Sequence, residues 1–214
     1  MSRRSKVLAL LAIPACACAA AAASLEVSVR DASGQPIADA VVHATPASGP
    51  AEARGARHAA VEQVDREFIP YVSVVQTGTS VTFPNRDPIL HHVYSFSQAK
   101  PFEIKLYTGK SPTEVVFDRP GIVTLGCNIH DWMIAYIAVV STPHFAKTDA
   151  TGVARLRDLP AGAYEVRTWH PQQRAGAEAQ AVALEASTAA QASFGLEVAP
   201  RKPKYKPPLE RLRY

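Results

Sequence analysis

Cys127, His130 and Met133 stand in the spacing Cys-x2-His-x2-Met, in the run CNIHDWM between the apolar stretches Ile122 to Leu125 and Tyr136 to Val140. A strand that delivers Cys127 at its end, a short loop, and a strand that begins at once can point a thiolate, an imidazole and a thioether into one small volume. A second segment, VTFPNRDPILHHVYSF at 81–96, brings His91 and His92, one of which closes the set. One thiolate and two imidazoles with a weak, long thioether is the donor set of copper centres that exchange single electrons. Zinc prefers a tetrahedron of stronger ligands and gains little from a thioether.

The elements around these residues read as strands. Leu25, Val27 and Val29 alternate with Glu26, Ser28 and Arg30, the period of two that marks a half-buried strand. Ser80 to Phe83 stops at Pro84-Asn85, Ile122 to Leu125 follows Pro120-Gly121, and Tyr136 to Val140 stops at Ser141-Thr142-Pro143. Residues 175–192, rich in Ala, Glu and Gln, are the one stretch with helical composition, yet Phe194, Leu196 and Val198 alternate straight after it. The segment is read as strands, and the whole as an all-β protein of sandwich type.

The chain has 214 residues, 47% hydrophobic and 20% charged, which excludes disorder, collagen and a disulfide-dense scaffold. A positive run SRRSK, an apolar stretch from Val7 to Ala22 broken by Pro14, and small residues at 21–23 form the layout of a secretory signal peptide over 1–23. The stretch is too short and Ala-rich for an uncleaved anchor, and Pro14 makes Ile13 to Cys16 a poor lipoprotein site. The expectation is a periplasmic or exported chain with no further membrane span. Losing Cys16, Cys18 and Met1 with the signal would leave Cys127 and Met133 as the only Cys and Met. A lone thiol in an oxidising compartment must be buried, paired with another chain, or held by a metal.

Charge is concentrated at the ends. Arg3, Arg4 and Lys6 carry three of the formal net +4, and residues 201–214 hold six basic side chains against one Glu, so the body between them is net −4. The tail suits an extended basic arm that is either simply solvated or steers an acidic partner or an anionic membrane surface. Nothing in the sequence calls for nucleic acid.

The two chemistry-bearing segments resemble the copper-binding halves of a cupredoxin. The pattern N-x5-H-x-V appears as Asn85, His91 and Val93, and P-G-x5-C-x2-H-x2-M as Pro120, Gly121, Cys127, His130 and Met133. The short final loop is similar to that of amicyanin. The match spans about residues 61–141 and differs at Ala135, where the family often has Gly, and at His92, where it often has Asn or Thr. The resemblance implies a Greek-key β-sandwich and one copper ion held by His91, Cys127, His130 and, axially, Met133. Adjacent strand residues face opposite sides, so only one of His91 and His92 reaches the metal. Counting from Asn85 favours His91, and counting back from Phe96 favours His92. Trp132 belongs either beside the site or in ordinary core. His43, His58, His144 and His170 have no partners at ligand spacing and are read as structural or surface residues.

The flanks carry a second resemblance. LEVSVRDASGQPIADAVV (25–42) and KTDATGVARLRDLPAGAYEVRTWHP (147–171) look like the two parts of a carboxypeptidase regulatory-like sandwich of prealbumin or immunoglobulin-like type. About a hundred residues separate them, and the cupredoxin-like stretch fills most of that interval. The economical arrangement is a copper domain at 58–142 inserted into a small sandwich made from 24–57 and 143–199, with 46–60 as the outgoing linker and the tail after 200. The combination is similar to bacterial proteins labelled methylamine-utilisation proteins, although no residue here points to amine recognition.

These features lead to a secreted mononuclear copper protein that passes single electrons between redox partner proteins. Such a site needs no open coordination position, so the chain is not expected to be an enzyme. The alternatives are a periplasmic copper carrier or sensor, whose metal is cargo, and an interaction module whose sandwich binds a partner or glycan.

Overall fold

The structure is a computed structural model and describes residues 22–49 and 57–200. Residues 1–21 of the signal segment, with Cys16 and Cys18, residues 50–56 of the linker, and the basic tail after 200 lie outside the described residues. The first flank holds β1 (Ala23–Arg30) and β2 (Val41–Pro46). The middle holds β3 (His58–Ala60), β4 (Glu62–Val64), β5 (Glu67–Ile69), β6 (Val72–Gln76), β7 (Thr79–Thr82), β8 (His91–Ser95), β9 (Phe102–Tyr107), β10 (Val115–Phe117), β11 (Gly121–Gly126) and β12 (Ile134–Val140). The last flank holds β13 (Phe145–Lys147), β14 (Val153–Leu159), β15 (Gly162–Trp169), β16 (Gln180–Leu184) and β17 (Ala189–Gly195). The protein is all-β: no helix occurs among the described residues, so none there is long and apolar enough to cross a membrane.

Period-two patterning builds the outer sandwich. In β1 the side chains of Ala23, Leu25, Val27 and Val29 are buried while those between them are not, and β15 buries Tyr164, Val166 and Thr168 in the same way. The strand order is β14-β1-β17 in one sheet and β13-β2-β15-β16 in the other. Their shared core contains Val27, Val29, Val42, Leu156, Leu159, Tyr164, Val166 and Phe194. Full burial of each such aliphatic side chain stabilises the fold by about 1.5–3 kcal/mol. β1 pairs with β17 in parallel, Val27 opposite Ala192, a contact that joins the first described strand to the last. Residues 180–184 and 189–195 are strands: Tyr164 and Val166 of β15 face Val182 and Gln180 across an antiparallel ladder, so tertiary pairing overrides the helical composition there.

The middle strands form a second sandwich, with sheets β6-β12-β11-β8-β9 and β10-β7-β3 closing over Phe68, Val81, Phe83, Val93, Phe117, Val123, Leu125 and Ile137. The hairpin β4-β5 stands as its own two-stranded unit. A small apolar contact joins the sandwiches: Val41 and Trp169 of the outer one meet Val72, Ala138 and Ile122 of the other. Directly after β12 the chain returns, and the Thr142 hydroxyl donates to the Ala44 carbonyl at 2.8 Å.

Candidate metal centre

The strand that leads to Cys127 depends on two glycines. Gly121 opens β11 after Pro120 at φ +143, where a Cβ would lie 2.9 Å from that of Ala99. Gly126 ends the strand beneath the ring of Tyr94, and a Cβ there would meet that ring at 2.6 Å. Cys127 therefore leaves the end of a central strand with Tyr94 packed over the preceding residue. The seven-residue loop to β12 is tied by the Met133 amide, which donates to the His130 carbonyl at 2.8 Å.

The other loop is organised by Asn85. Its side-chain amide donates to the carbonyls of Ile89 and Tyr107, both at 2.8 Å, and its Oδ1 accepts the Asp87 amide at 2.9 Å. This network presents His91 as the first residue of β8. His91 points inward and His92 outward: the His91 Nδ1 lies 3.1 Å from His130 Nδ1, whereas His92 Nε2 meets Glu103 Oε1 at 2.9 Å. The His92 ring lies at a tilt near Tyr94, 5.6 Å between centroids.

Three donor atoms thus converge. Cys127 Sγ is 3.8 Å from His130 Nδ1, and the ligand atoms of His91, Cys127 and His130 all lie within 4.8 Å of one another. Among the described residues no other set of three His, Cys, Asp or Glu side chains converges in this way. All are buried, at 0%, 3% and 1% exposure in that order. Met133 is fully buried in the same core cluster as Cys127. Burial, together with His91 and the nearby Arg66, holds His130 down to about 4, so at neutral pH its imidazole is uncharged and offers a lone pair. Two ring nitrogens facing each other at 3.1 Å beside a sulfur form an arrangement that a single soft cation satisfies.

Trp132 packs on this site: its ring centroid is 5.2 Å from that of His130, and its indole Nε1 donates to the Arg66 carbonyl at 3.2 Å. Tyr107 lies behind Asn85. Its hydroxyl donates to the Phe83 carbonyl and accepts from Gln63 Nε2 at 2.6 Å, and burial pushes its pKa up to about 12. The remaining histidines stand elsewhere. His58 lies 3.6 Å from Glu114 at the surface, His144 meets the edge of Tyr164, and His43 pairs with Arg167 across β2 and β15.

Two features of the site are not marked by the sequence motifs. Asp87 accepts the amides of Asp65 and Arg66 at 2.7 and 2.8 Å and lies 2.7 Å from His91 Nε2. Burial raises its pKa, but the Arg66 amide and His91 outweigh that, so the carboxyl is held below its ordinary range. Asp65 and Arg66, at φ 52 and 59, form the two-residue turn between β4 and β5. Left-handed backbone at a non-glycine residue costs about 1–3 kcal/mol and persists where the surroundings over-determine it. The signal present in sequence was the polar run Asn85-Arg86-Asp87-Pro88, whose partner 21 residues upstream no local pattern identifies.

Fold and site together define a β-sandwich protein with a buried cysteine sulfur and two imidazoles at one end of a sheet. Among solved structures the chain is similar to a copper-containing nitrite reductase from Thermus scotoductus SA-01, at 24% identity over 44% of this chain and 25% of that one, with a TM-score of 0.37. It is also similar to a purple cupredoxin from Nitrosopumilus maritimus (22% identity, 38% of this chain, 98% of that one, TM-score 0.34). A third is a point mutant of amicyanin in its reduced Cu(I) form (21% identity, 45% of this chain, 98% of that one, TM-score 0.35). The chain spans a quarter of the length of the nitrite reductase it matches and nearly all of the other two. No family model and no curated protein matches it.

Proposed function

We propose that the chain binds one copper ion through His91, Cys127 and His130, which Met133 would join as a weak fourth ligand, and passes single electrons between partner proteins outside the cytoplasm. The observation that carries this reading is the convergence of one ring nitrogen from each of two imidazoles and one cysteine sulfur inside 4.8 Å, all three residues buried. The donor set fits: a cysteine thiolate is a soft ligand, imidazole suits copper, and no carboxylate belongs to the triad, which favours copper over hard cations. Copper bound there supplies a one-electron couple.

The chain's own contribution is rigidity. β11 and β12 pair over six consecutive positions from Gly121↔Val139 to Gly126↔Ile134, which holds Cys127 and the loop after it in one geometry. Asn85 fixes the His91 loop in the same way. Donors held by packing and hydrogen bonds cost little to reorganise when the charge on the metal changes. Burial of all three donors supports electron transfer over catalysis, because a substrate needs a coordination position that solvent can reach. It also supports electron transfer over the carrier reading, since cargo copper must leave past His130 and Trp132. Export by the 1–23 segment and insertion of the copper domain between β2 and β13 complete the proposal. The pairing of β1 with β14 and β17, and of β2 with β13 and β15, supports the insertion.

The test is addition of Cu(II) to the purified protein. An intense visible thiolate-to-copper band at one copper per chain, with a reversible potential, is expected. Absence of the band, or rapid loss of copper to a weak chelator, counts against an electron-transfer role.

A further inference from the structure

Asp87 stands at the junction of three segments. Its side chain is 10% exposed, and its two oxygens accept the Asp65 amide, the Arg66 amide and a contact from His91 Nε2. The His91 contact is made by the ring nitrogen opposite the one that faces His130 and Cys127. A carboxylate can only accept, so the proton of a neutral His91 ring must sit on Nε2. The lone pair is then left on Nδ1, the atom turned toward the triad. Asp87 thereby selects the tautomer that can ligate, and because it is anionic it also makes the imidazole a stronger donor.

The same carboxylate explains why the β4-β5 turn lies where it does. Asp65 and Arg66 both hold left-handed backbone without being glycine, and their two amides point at Asp87. From that turn the Arg66 carbonyl accepts the Trp132 indole, so one hairpin touches both ligand-bearing loops. Losing the carboxylate would loosen the first-histidine side directly and the Cys-His-Met side at second hand.

We propose that Asp87 is a positioning residue of the metal centre, which locks His91 in its Nε2–H tautomer and biases bound copper toward Cu(II), lowering the reduction potential. This rests on the copper reading above. The competing role is that Asp87 only caps the Asp65-Arg66 turn. The two roles differ in what they move: a cap affects folding stability alone, whereas a charge one imidazole away from the metal changes the ratio of Cu(II) to Cu(I) affinity.

The decisive variant is Asp87→Asn in the full chain. Its oxygen can still accept one backbone amide, but its NH2 then faces either His91 Nε2–H or a second amide, donor against donor. Cu(II) and Cu(I) affinities measured by chelator competition, with the potential and the melting temperature, separate the roles. Cu(II) affinity should fall about 10- to 100-fold, the usual effect of losing an outer-shell partner, with a smaller loss for Cu(I). Each tenfold change in their ratio raises the potential by about 59 mV. Asp118→Asn removes an equal charge from an exposed carboxylate paired with Lys100 and should leave the ratio within about twofold. A lowered melting temperature in Asp87→Asn with an unchanged affinity ratio and potential would overturn the proposal and leave the copper reading intact. Wild-type protein that binds no copper overturns both. If the variant does not fold, nitrogen NMR of His91 in the wild-type metal-free protein decides. An Nε2–H tautomer supports the proposal, and an Nδ1–H tautomer overturns it.

Discussion

The two sandwiches are built by the same alternation and bury different things. In the outer one the buried polar residues are Thr142, Thr148, Thr168 and His170, with the Thr142 and Thr148 hydroxyls donating to the carbonyls of Ala44 and Ile37, and the rest of the core is overwhelmingly aliphatic. The second sandwich, which carries the candidate metal centre, buries Gln63, Asn85, His91, His92 and His130, besides Cys127. Burying a polar group without a full set of partners costs stability, so such a cluster persists where it serves something other than folding. The difference teaches where to look for function: in the sandwich whose core is worse as a core.

Substitutions should separate the two. The largest expected effect is that of Cys127→Ala, which removes the sulfur on which the charge-transfer band depends. The visible band of the copper-loaded protein should vanish, and a retained band would place the thiolate elsewhere. Next come the histidines. His91→Ala and His130→Ala should each weaken Cu(II) binding by more than the about 10- to 100-fold typical of outer-shell partners, while His92→Ala should fall short of it. Titrations that ranked His92 above His91 would contradict the inward register of His91.

Leu25→Ala probes the opposite side of the comparison. Leu25 is 1% exposed in the outer core, so its truncation should cost about 2–5 kcal/mol in denaturant unfolding. The copper potential should stay where it was; a shift would mean that the outer sandwich shapes the site. Met133→Leu conserves volume in the inner core and should cost less than about 1.5 kcal/mol. Removing a weak donor that favours Cu(II) should nevertheless raise the potential, and voltammetry showing no change would take Met133 out of the coordination sphere. The smallest effect is expected from truncation after Pro200. If the six basic side chains beyond it steer an acidic partner, association should slow at low ionic strength and be unaffected at high salt. Stopped-flow rates independent of salt in the intact protein would leave the tail simply solvated.

Much of this was written locally. The alternation of Leu25, Val27 and Val29 requires one buried face whatever lies opposite, because successive strand residues point to opposite sides. Cys127, His130 and Met133 fall in one loop because the two runs flanking it are each a strand, and so their residence in that loop follows from spacing alone. Other features needed partners distant in sequence. Neighbouring His91 and His92 are chemically identical, and only the packing of β8 against β11 and β9 sends one to His130 and the other to Glu103. Residues 180–184 and 189–195 carry helix-compatible side chains, and the ladders to β15 and β1 make them strands. Asp87 reads as an ordinary turn residue until the fold sets the Asp65-Arg66 turn and His91 against it. Local sequence determined which groups exist and which way their strands alternate. Tertiary structure decided which of them meet, because hydrogen bonds and charge act over a few ångströms in space regardless of separation along the chain.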